Sequence, residues 1–414
     1  MDKIKLLLVP SDLAGVGHFR SIWPAQQIQK DYPGEFDIEI NNSPNTNNIE
    51  YLANFDIIHF HRHLGNHEQM PELFKMLRER GTILIMDIDD YWDPPKTHPL
   101  YGAAQKEGLS KKITETLKTS DYITTTTEIF ADYIKPYNKN VKILFNAIDT
   151  NHRMWQDEEV VKTDKCRIAW IGGSSHNNDL EVLKSSMNML HSDTELKEKY
   201  QIVMCGYDIR GSITEISPDG KSSRTRKIKP EETIWNKFEE TFTNNYQCVN
   251  ENYKKWLKKC KNEPYPFGNL YDQTYVRRWT LPLTQYGRHY NYCDVCLAPL
   301  AENIFNATKS ELKIIESGMK KKVLIAQDFA VYKALLKDGE NGLLVPTKKN
   351  IGGWYKAMKK VINDKELREK LSTNLYNMVK DKYNLKNATK ERVEFYKKLI
   401  ATKQKKVENL STSK

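Results

Sequence analysis

Two successive series of strand-length apolar runs, each run separated from the next by a helical stretch, limit the folding options of this chain more than any other feature. In residues 1–150 the runs fall at 3–9, 36–40, 56–60, 82–88, 121–125 and 141–145, with helix-period stretches near 20–31, 69–80, 109–119 and 128–136. Such alternation predicts a parallel, doubly wound sheet, because a parallel strand pair needs a crossover long enough to hold a helix. A second series opens at Cys166-Arg167-Ile168-Ala169-Trp170-Ile171-Gly172 and continues at 201–206, 294–298, 322–326 and 343–345. With 414 residues the chain exceeds what one core usually supports, so two Rossmann-like domains are expected, over 1–150 and 166–383. The mixed-charge stretch 151–165 lacks apolar periodicity and is the expected linker, with a ligand expected in the cleft between the halves.

The segment 207–279 interrupts the second series and is read as an insertion. Its first part is rich in Ser, Gly, Lys and Arg; its second is helical, with Trp235, Phe238, Phe242, Tyr246, Tyr253 and Trp256 as anchors of a local core or of a sugar platform. A last helix is expected over 384–403, and the polar end 404–414 is expected to be disordered. The longest apolar runs are strand-length, well short of the roughly 20 residues of a membrane helix, and because a strand is expected from about Ile4, no signal peptide is expected. A cytoplasmic protein is expected. Six cysteines in a chain this long do not form a disulfide scaffold, and Cys293-Asp-Val-Cys296 has no second pair to complete a zinc site, so reduced strand cysteines are expected.

Charge is uneven: residues 1–150 hold 16 Lys+Arg against 21 Asp+Glu, net −5, leaving 48 against 33, net +15, for the rest. A basic half is compatible with a solvated surface, with anionic phosphates, or with peripheral contact at an anionic membrane face. Nucleic acid is disfavoured, since no aromatic-interleaved basic motif accompanies the charge.

Several loops carry chemistry. Gly15-Val16-Gly17-His18-Phe19-Arg20 follows the first strand and opens a helix, where glycines let backbone N–H groups approach an anion; the alternative is an ordinary tight turn. The corresponding loop of the second half is Gly172-Gly173-Ser174-Ser175-His176, whose hydroxyls and imidazole can donate, with Asn178 or Asp179 as a helix cap. In Asp56-Ile-Ile-His59-Phe-His61-Arg-His63 a strand runs into a His-rich loop, and period two sends the three imidazoles to one face. No acid lies beside them in sequence to complete a metal site. Asp87-Ile-Asp89-Asp90 ends the next strand; acceptor-hydroxyl binding by Asp89 or Asp90, loop capping and metal binding are its three readings.

The stretch from Val295 to Pro346 runs apolar strand, polar loop with Phe305-Asn306, helix ending Glu316-Ser317-Gly318, strand, then Asp338-Gly-Glu-Asn-Gly-Leu-Leu-Val. It resembles the donor-site half of retaining, GT-B-fold glycosyltransferases of the family 4 type, in which two glutamates enclose seven residues. Glu316 matches the second acid, and the position of the first is Thr308. The resemblance implies two Rossmann-like domains with parallel sheets facing an interdomain cleft and a C-terminal helix crossing back. It implies a hexosyltransferase-type enzyme using a UDP- or GDP-sugar, with no tightly bound cofactor and no metal. The acceptor is a glycan, a lipid-linked species or a protein.

On this reading the donor lies against Gly15, Gly17, Gly173, Ser174, Ser175 and His176. Backbone amides of Asn306, Ala307 and Thr308 face the phosphates, and Lys309 supplies the cation that the second-half loop lacks. Glu316 accepts both ribose hydroxyls, since a carboxylate offers two oxygens to adjacent donors. His61 or His63 acts with Lys309 at the reacting centre, Arg20, Asp89 and Asp90 serve the acceptor, and Asn146 faces the cleft. The leaving diphosphate, with no strong protein nucleophile, stabilises the charge as the glycosidic bond breaks. Thr308 and the missing cations of the second-half loop support the alternative of a catalytically degenerate glycan-binding or assembly protein.

Overall fold

The apolar runs of the first series all fold as strands: β1 Ile4–Val9, β2 Phe36–Ile40, β3 Ile57–His61, β4 Ile83–Asp87, β5 Tyr122–Thr125 and β6 Val141–Ile143. The computed structural model describes residues 3–412 except 97, 99–100, 210, 217–221, 260, 262 and 348–351. These six strands form one parallel sheet in the order β2-β1-β3-β4-β5-β6. Leu7, Ile58, Phe60, Leu84 and Met86 pack on one side, and Leu6, Leu8, Ile57 and Ile85 on the other, as expected of a sheet covered by helices on both faces. The order reverses between β1 and β3, so the carboxyl ends of these two strands flank the switch point where such sheets bind ligands.

The second series gives β7 Cys166–Ile171 and β8 Tyr200–Tyr207, then an antiparallel hairpin of β9 Ser212–Ile216 and β10 Ser223–Lys227, then β11 Tyr275–Trp279, β12 Val295–Ala298, β13 Val323–Gln327 and β14 Leu343–Val345. The main sheet is parallel with the order β11-β8-β7-β12-β13-β14. Numbered within this half, that is 3-2-1-4-5-6, the Rossmann order, with its switch point between β7 and β12.

The segment 207–279, expected as an insertion, includes the strand β11, which occupies the third-strand place of the sheet and pairs with β8 from Tyr275↔Ile202 onward. The helix Ile234–Thr243 is part of the crossover: Trp235, Phe238 and Phe242 lie in one core with Ile168, Trp170, Ile202 and Met204. The aromatics are therefore the domain core, not a separate cluster. Arg277 of β11 is buried because Glu239 of that helix receives it through Nε at 2.9 Å and Nη2 at 2.5 Å, while Tyr246 and Tyr275 donate to the same carboxylate at 2.9 Å.

The chain divides into two compact units, one of residues 1–150, 303–315 and 378–414, the other of 151–302 and 316–377. The last helix, Leu385–Thr412, belongs to the first unit and places Val393, Tyr396 and Leu399 against Leu6, Leu8, Ala25, Ile28 and Phe36. It continues to Thr412, through the segment where disorder was expected. No helix among the described residues is long and apolar enough to cross a membrane. The Sγ atoms of Cys293 and Cys296 are buried, not joined in a disulfide, and in hydrogen-bond contact at 3.6 Å.

Candidate functional site

In the first unit the chemistry gathers at the carboxyl ends of β1, β3 and β4. Asp87, the last residue of β4, is bound by Arg20 through Nη2 at 2.7 Å and Nε at 3.0 Å, and by the Thr124 hydroxyl at 2.6 Å. Arg20 sits in a π-helical turn, His18–Ile22, and spends Nη1 on the Leu144 carbonyl and on Asn146 Oδ1. Burial opposes the charge on Asp87, yet the Arg20 guanidinium overcomes it and holds the carboxyl well below the usual range. Arg20, expected at the acceptor, is 1% exposed and ties β4 to the segment after β6. Asn146 is likewise buried in this bond.

The histidines separate. His59 is buried with Nε2 at 2.8 Å from Thr124 Oγ1 and Nδ1 at 2.7 Å from the Tyr396 hydroxyl. Because Thr124 donates to Asp87, its oxygen must accept from His59, which puts the imidazole hydrogen on Nε2. Burial lowers the pKa of His59 to about 3, so it is neutral and structural. His61 places Nε2 at 2.9 Å from Asp89 Oδ1 and leaves Nδ1 without a partner among the described residues. Arg62 then takes φ of +63°, a left-handed conformation that a non-glycine residue adopts at a cost, and alternation stops there. His63 consequently lies on the surface, bonded to the Gly65 carbonyl at 3.1 Å and 5.2 Å from the His67 ring, not beside His61.

Asp89 is committed to His61 and to Arg62 Nη2 at 3.3 Å. Burial opposes its charge, and His61 followed by Arg62 holds the carboxyl well below its ordinary value. Asp89, expected as an acceptor ligand, is bonded to the His61 imidazole, and Asp90 is half-buried beside it. Part of the glycine loop after β1 is also committed internally. Asp12 Oδ1 receives the amides of Ala14 at 2.8 Å and Gly17 at 3.1 Å, and a Cβ on Gly17 would stand 1.8 Å from the Asp12 carbonyl oxygen. Gly17 is required by this tight turn, while Gly15 faces open space.

Within 303–315, Asn303 caps the short helix Ile304–Ala307: its Oδ1 takes the Asn306 amide at 2.9 Å and its carbonyl the Ala307 amide at 2.9 Å. Those two amides, expected to face phosphates, are bonded inside the turn, and the fully buried Thr308 hydroxyl donates to the Phe305 carbonyl at 3.0 Å. Lys309 remains an available cation, its Nζ 5.1 Å over the Phe305 ring, which in turn lies 4.4 Å from the His98 ring. Sequence reasoning missed Glu311. It is 2% exposed, its Oε2 has no partner among the described residues, and burial raises its pKa to about 7 against the lowering fields of Arg20 and Lys382.

In the second unit the loop after β7 and the loop after β12 meet at the switch point. Asp179 joins them, accepting the Ala301 amide at 2.8 Å on Oδ1 and lying 2.7 Å from His176 Nδ1 on Oδ2. Gly173, Ser174 and Ser175 are exposed in the same loop, while Gly172 packs where a Cβ would strike the Trp170 ring at 2.4 Å. Glu316, on the helix Leu312–Met319, is 1% exposed and accepts the Tyr286 hydroxyl on Oε1 and the Tyr290 hydroxyl on Oε2, each at 2.5 Å. Both phenols were missed, although their four-residue spacing could have marked them as neighbours on one side of a helical turn.

No group of three or more His, Cys, Asp or Glu suited to a metal ion occurs among the described residues. A cavity of about 1110 Å³ in the first unit, lined by Arg78, Lys118, Asn138 and Lys403 among others, lies at the amino ends of β4 and β5, and none of the expected site residues lines it.

No protein-family model matches the sequence, and no curated protein matches it. Solved structures do match. Sucrose-phosphate synthase from Thermosynechococcus elongatus superposes with a TM-score of 0.58 at 11% identity, covering 97% of this chain and 100% of that one. A glycosyltransferase from Rickettsia africae ESF-5 gives 0.57 at 13% identity over 97% and 99%. HepE of Anabaena, in complex with UDP-glucose, gives 0.58 at 10% identity over 95% and 99%. The likeness extends over nearly the whole of each chain and takes in both six-stranded parallel sheets. This chain has the two-domain α/β GT-B fold of these glycosyltransferases.

Proposed function

We propose that the protein transfers a hexosyl group from a nucleotide-diphosphate sugar to a hydroxyl of a glycan, lipid-linked or protein acceptor, with retention of configuration. The observation that carries this reading is Glu316: a buried carboxylate, held by two phenols, on the helix that follows β12 of a sheet whose switch point lies between β7 and β12. GT-B neighbours solved with UDP or UDP-glucose support a nucleotide-sugar donor. Glu316 takes the ribose hydroxyls, while Lys309 and the exposed donors Ser174 and Ser175 serve the diphosphate. His61 offers Nδ1 to a substrate hydroxyl, its other nitrogen being fixed by Asp89. Catalysis is then positioning plus stabilisation of the charge that develops on the leaving diphosphate. The cytoplasm is its proposed location, with the basic half suited to an anionic membrane face.

Thr308 favours a second reading, a degenerate GT-B protein that binds glycans without chemistry, because its hydroxyl is spent on the backbone where the resembled family has an acid. Thermal shifts with a panel of nucleoside diphosphates, with and without a divalent ion, separate these readings. At least one is expected to raise the melting temperature; no shift with any of them rejects the enzyme. Lys309→Ala is expected to weaken nucleoside diphosphates more than nucleosides, and Glu316→Gln to weaken both.

A further inference from the structure

The carboxylate that this reading assigns to the ribose already has a hydroxyl donor on each oxygen. Tyr286 and Tyr290 both stand at 2.5 Å, the length of a charge-assisted O–H···O⁻ bond. Burial first, and Glu316 second, raise both phenol pKa values well above the ordinary one, so each tyrosine keeps its proton and remains a donor. A ribose diol offers the same two O–H groups in the same bidentate sense. With Glu316 only 1% exposed, a nucleotide reaches these oxygens by replacing a donor already there.

The two phenols differ in how readily they can leave. Tyr290 is fully buried, and its ring packs 6.0 Å from that of Trp155; turning it out would open a large cavity. Tyr286 is only partly buried and meets Trp155 edge-on at 5.5 Å. Its backbone is anchored next door, where a Cβ on Gly287 would stand 2.8 Å from the Met154 carbonyl oxygen, so a rotation is confined to the side chain.

We propose that Tyr286 is a hydroxyl stand-in on Glu316, displaced by the ribose of the nucleotide, and that Tyr290 is the fixed positioning residue that keeps the carboxylate in place during the exchange. This inference rests on the assignment of Glu316 to the ribose. Removing the Tyr286 hydroxyl removes a competitor, whereas removing that of Tyr290 removes a support, so the two conservative variants have opposite signs.

The test is calorimetric titration of the full chain with UDP or GDP, whichever binds the wild type, and with the matching 2′,3′-dideoxy diphosphate. Tyr286→Phe should bind the ribonucleotide about five- to tenfold more tightly and the dideoxy analogue unchanged. Tyr290→Phe should bind the ribonucleotide several-fold more weakly. Tyr286→Leu should repeat the gain, which keeps the test open if Tyr286→Phe folds poorly. Weaker or unchanged ribonucleotide binding by the Tyr286 variants, or an equal gain for the dideoxy compound, overturns the stand-in role while leaving nucleotide binding intact. Failure of the wild type to bind any nucleoside diphosphate overturns the functional reading, and this inference with it.

Discussion

Glu311 shows how much one side chain's surroundings decide. Its carboxyl is buried with Oε2 unpartnered among the described residues, and burial raises its pKa to about 7. The raised value means that the folded state holds the proton more tightly than the unfolded state does. Its contribution is therefore full below about 4.5 and is lost as pH rises through 7. Glu311→Gln should stabilise the protein at pH 8 by on the order of 3 kcal/mol and change little at pH 4.5, which denaturant titrations at the two pH values will measure. Arg20 behaves oppositely, since its partner stays charged. Arg20→Met leaves Asp87 buried without its cation and should cost about 3–5 kcal/mol, while adding Asp87→Leu should recover part of that loss in a double-mutant cycle.

At the level of elements, β11 lies within 207–279 without a strong strand signal of its own. The strand reads Tyr-Val-Arg-Arg-Trp, and two arginines weaken any apolar signal. Arg277 tolerates the interior only because Glu239, distant in sequence, neutralises it, and the Tyr207 ring lies 3.9 Å from its guanidinium. The helix Ile234–Thr243 is thus domain core, and Phe238→Ala should destabilise the protein by about 3–5 kcal/mol, measured by equilibrium unfolding. A surface insertion would lose far less. The helix Leu385–Thr412 is just as integral, because Tyr396 both packs in the first unit's core and bonds to His59. A chain ending at Asn384 should expose that core, and bound hydrophobic dye together with a lowered melting temperature will report it.

At the scale of the molecule, buried ionisable groups of the first unit predict an acid-sensitive fold. His59, lowered to about 3 by burial, takes up a proton on unfolding throughout the range between about 3 and its ordinary 6.5, so stability falls as pH falls through that window. Asp87, held low by Arg20, adds its loss below the ordinary carboxyl range. Glu311 acts in the opposite sense between about 7 and 4.5, so melting temperature should decline most steeply below about pH 4.5, and His59→Gln should lessen that decline. The order of strands and helices, and with it the doubly wound fold, was legible in the sequence because apolar periodicity is a local property that each strand carries by itself. The GT-B resemblance at 295–346 was legible for the same reason, as a run of consecutive residues. Which side chains stand free was decided by tertiary structure. A left-handed Arg62 parts His63 from His61, Asp12 and Asn303 consume amides that the sequence left open to an anion, and two tyrosines close on Glu316. Each of these outcomes depends on a partner or a single backbone angle, and hydrogen-bond partners brought together by folding leave no periodic trace in the chain.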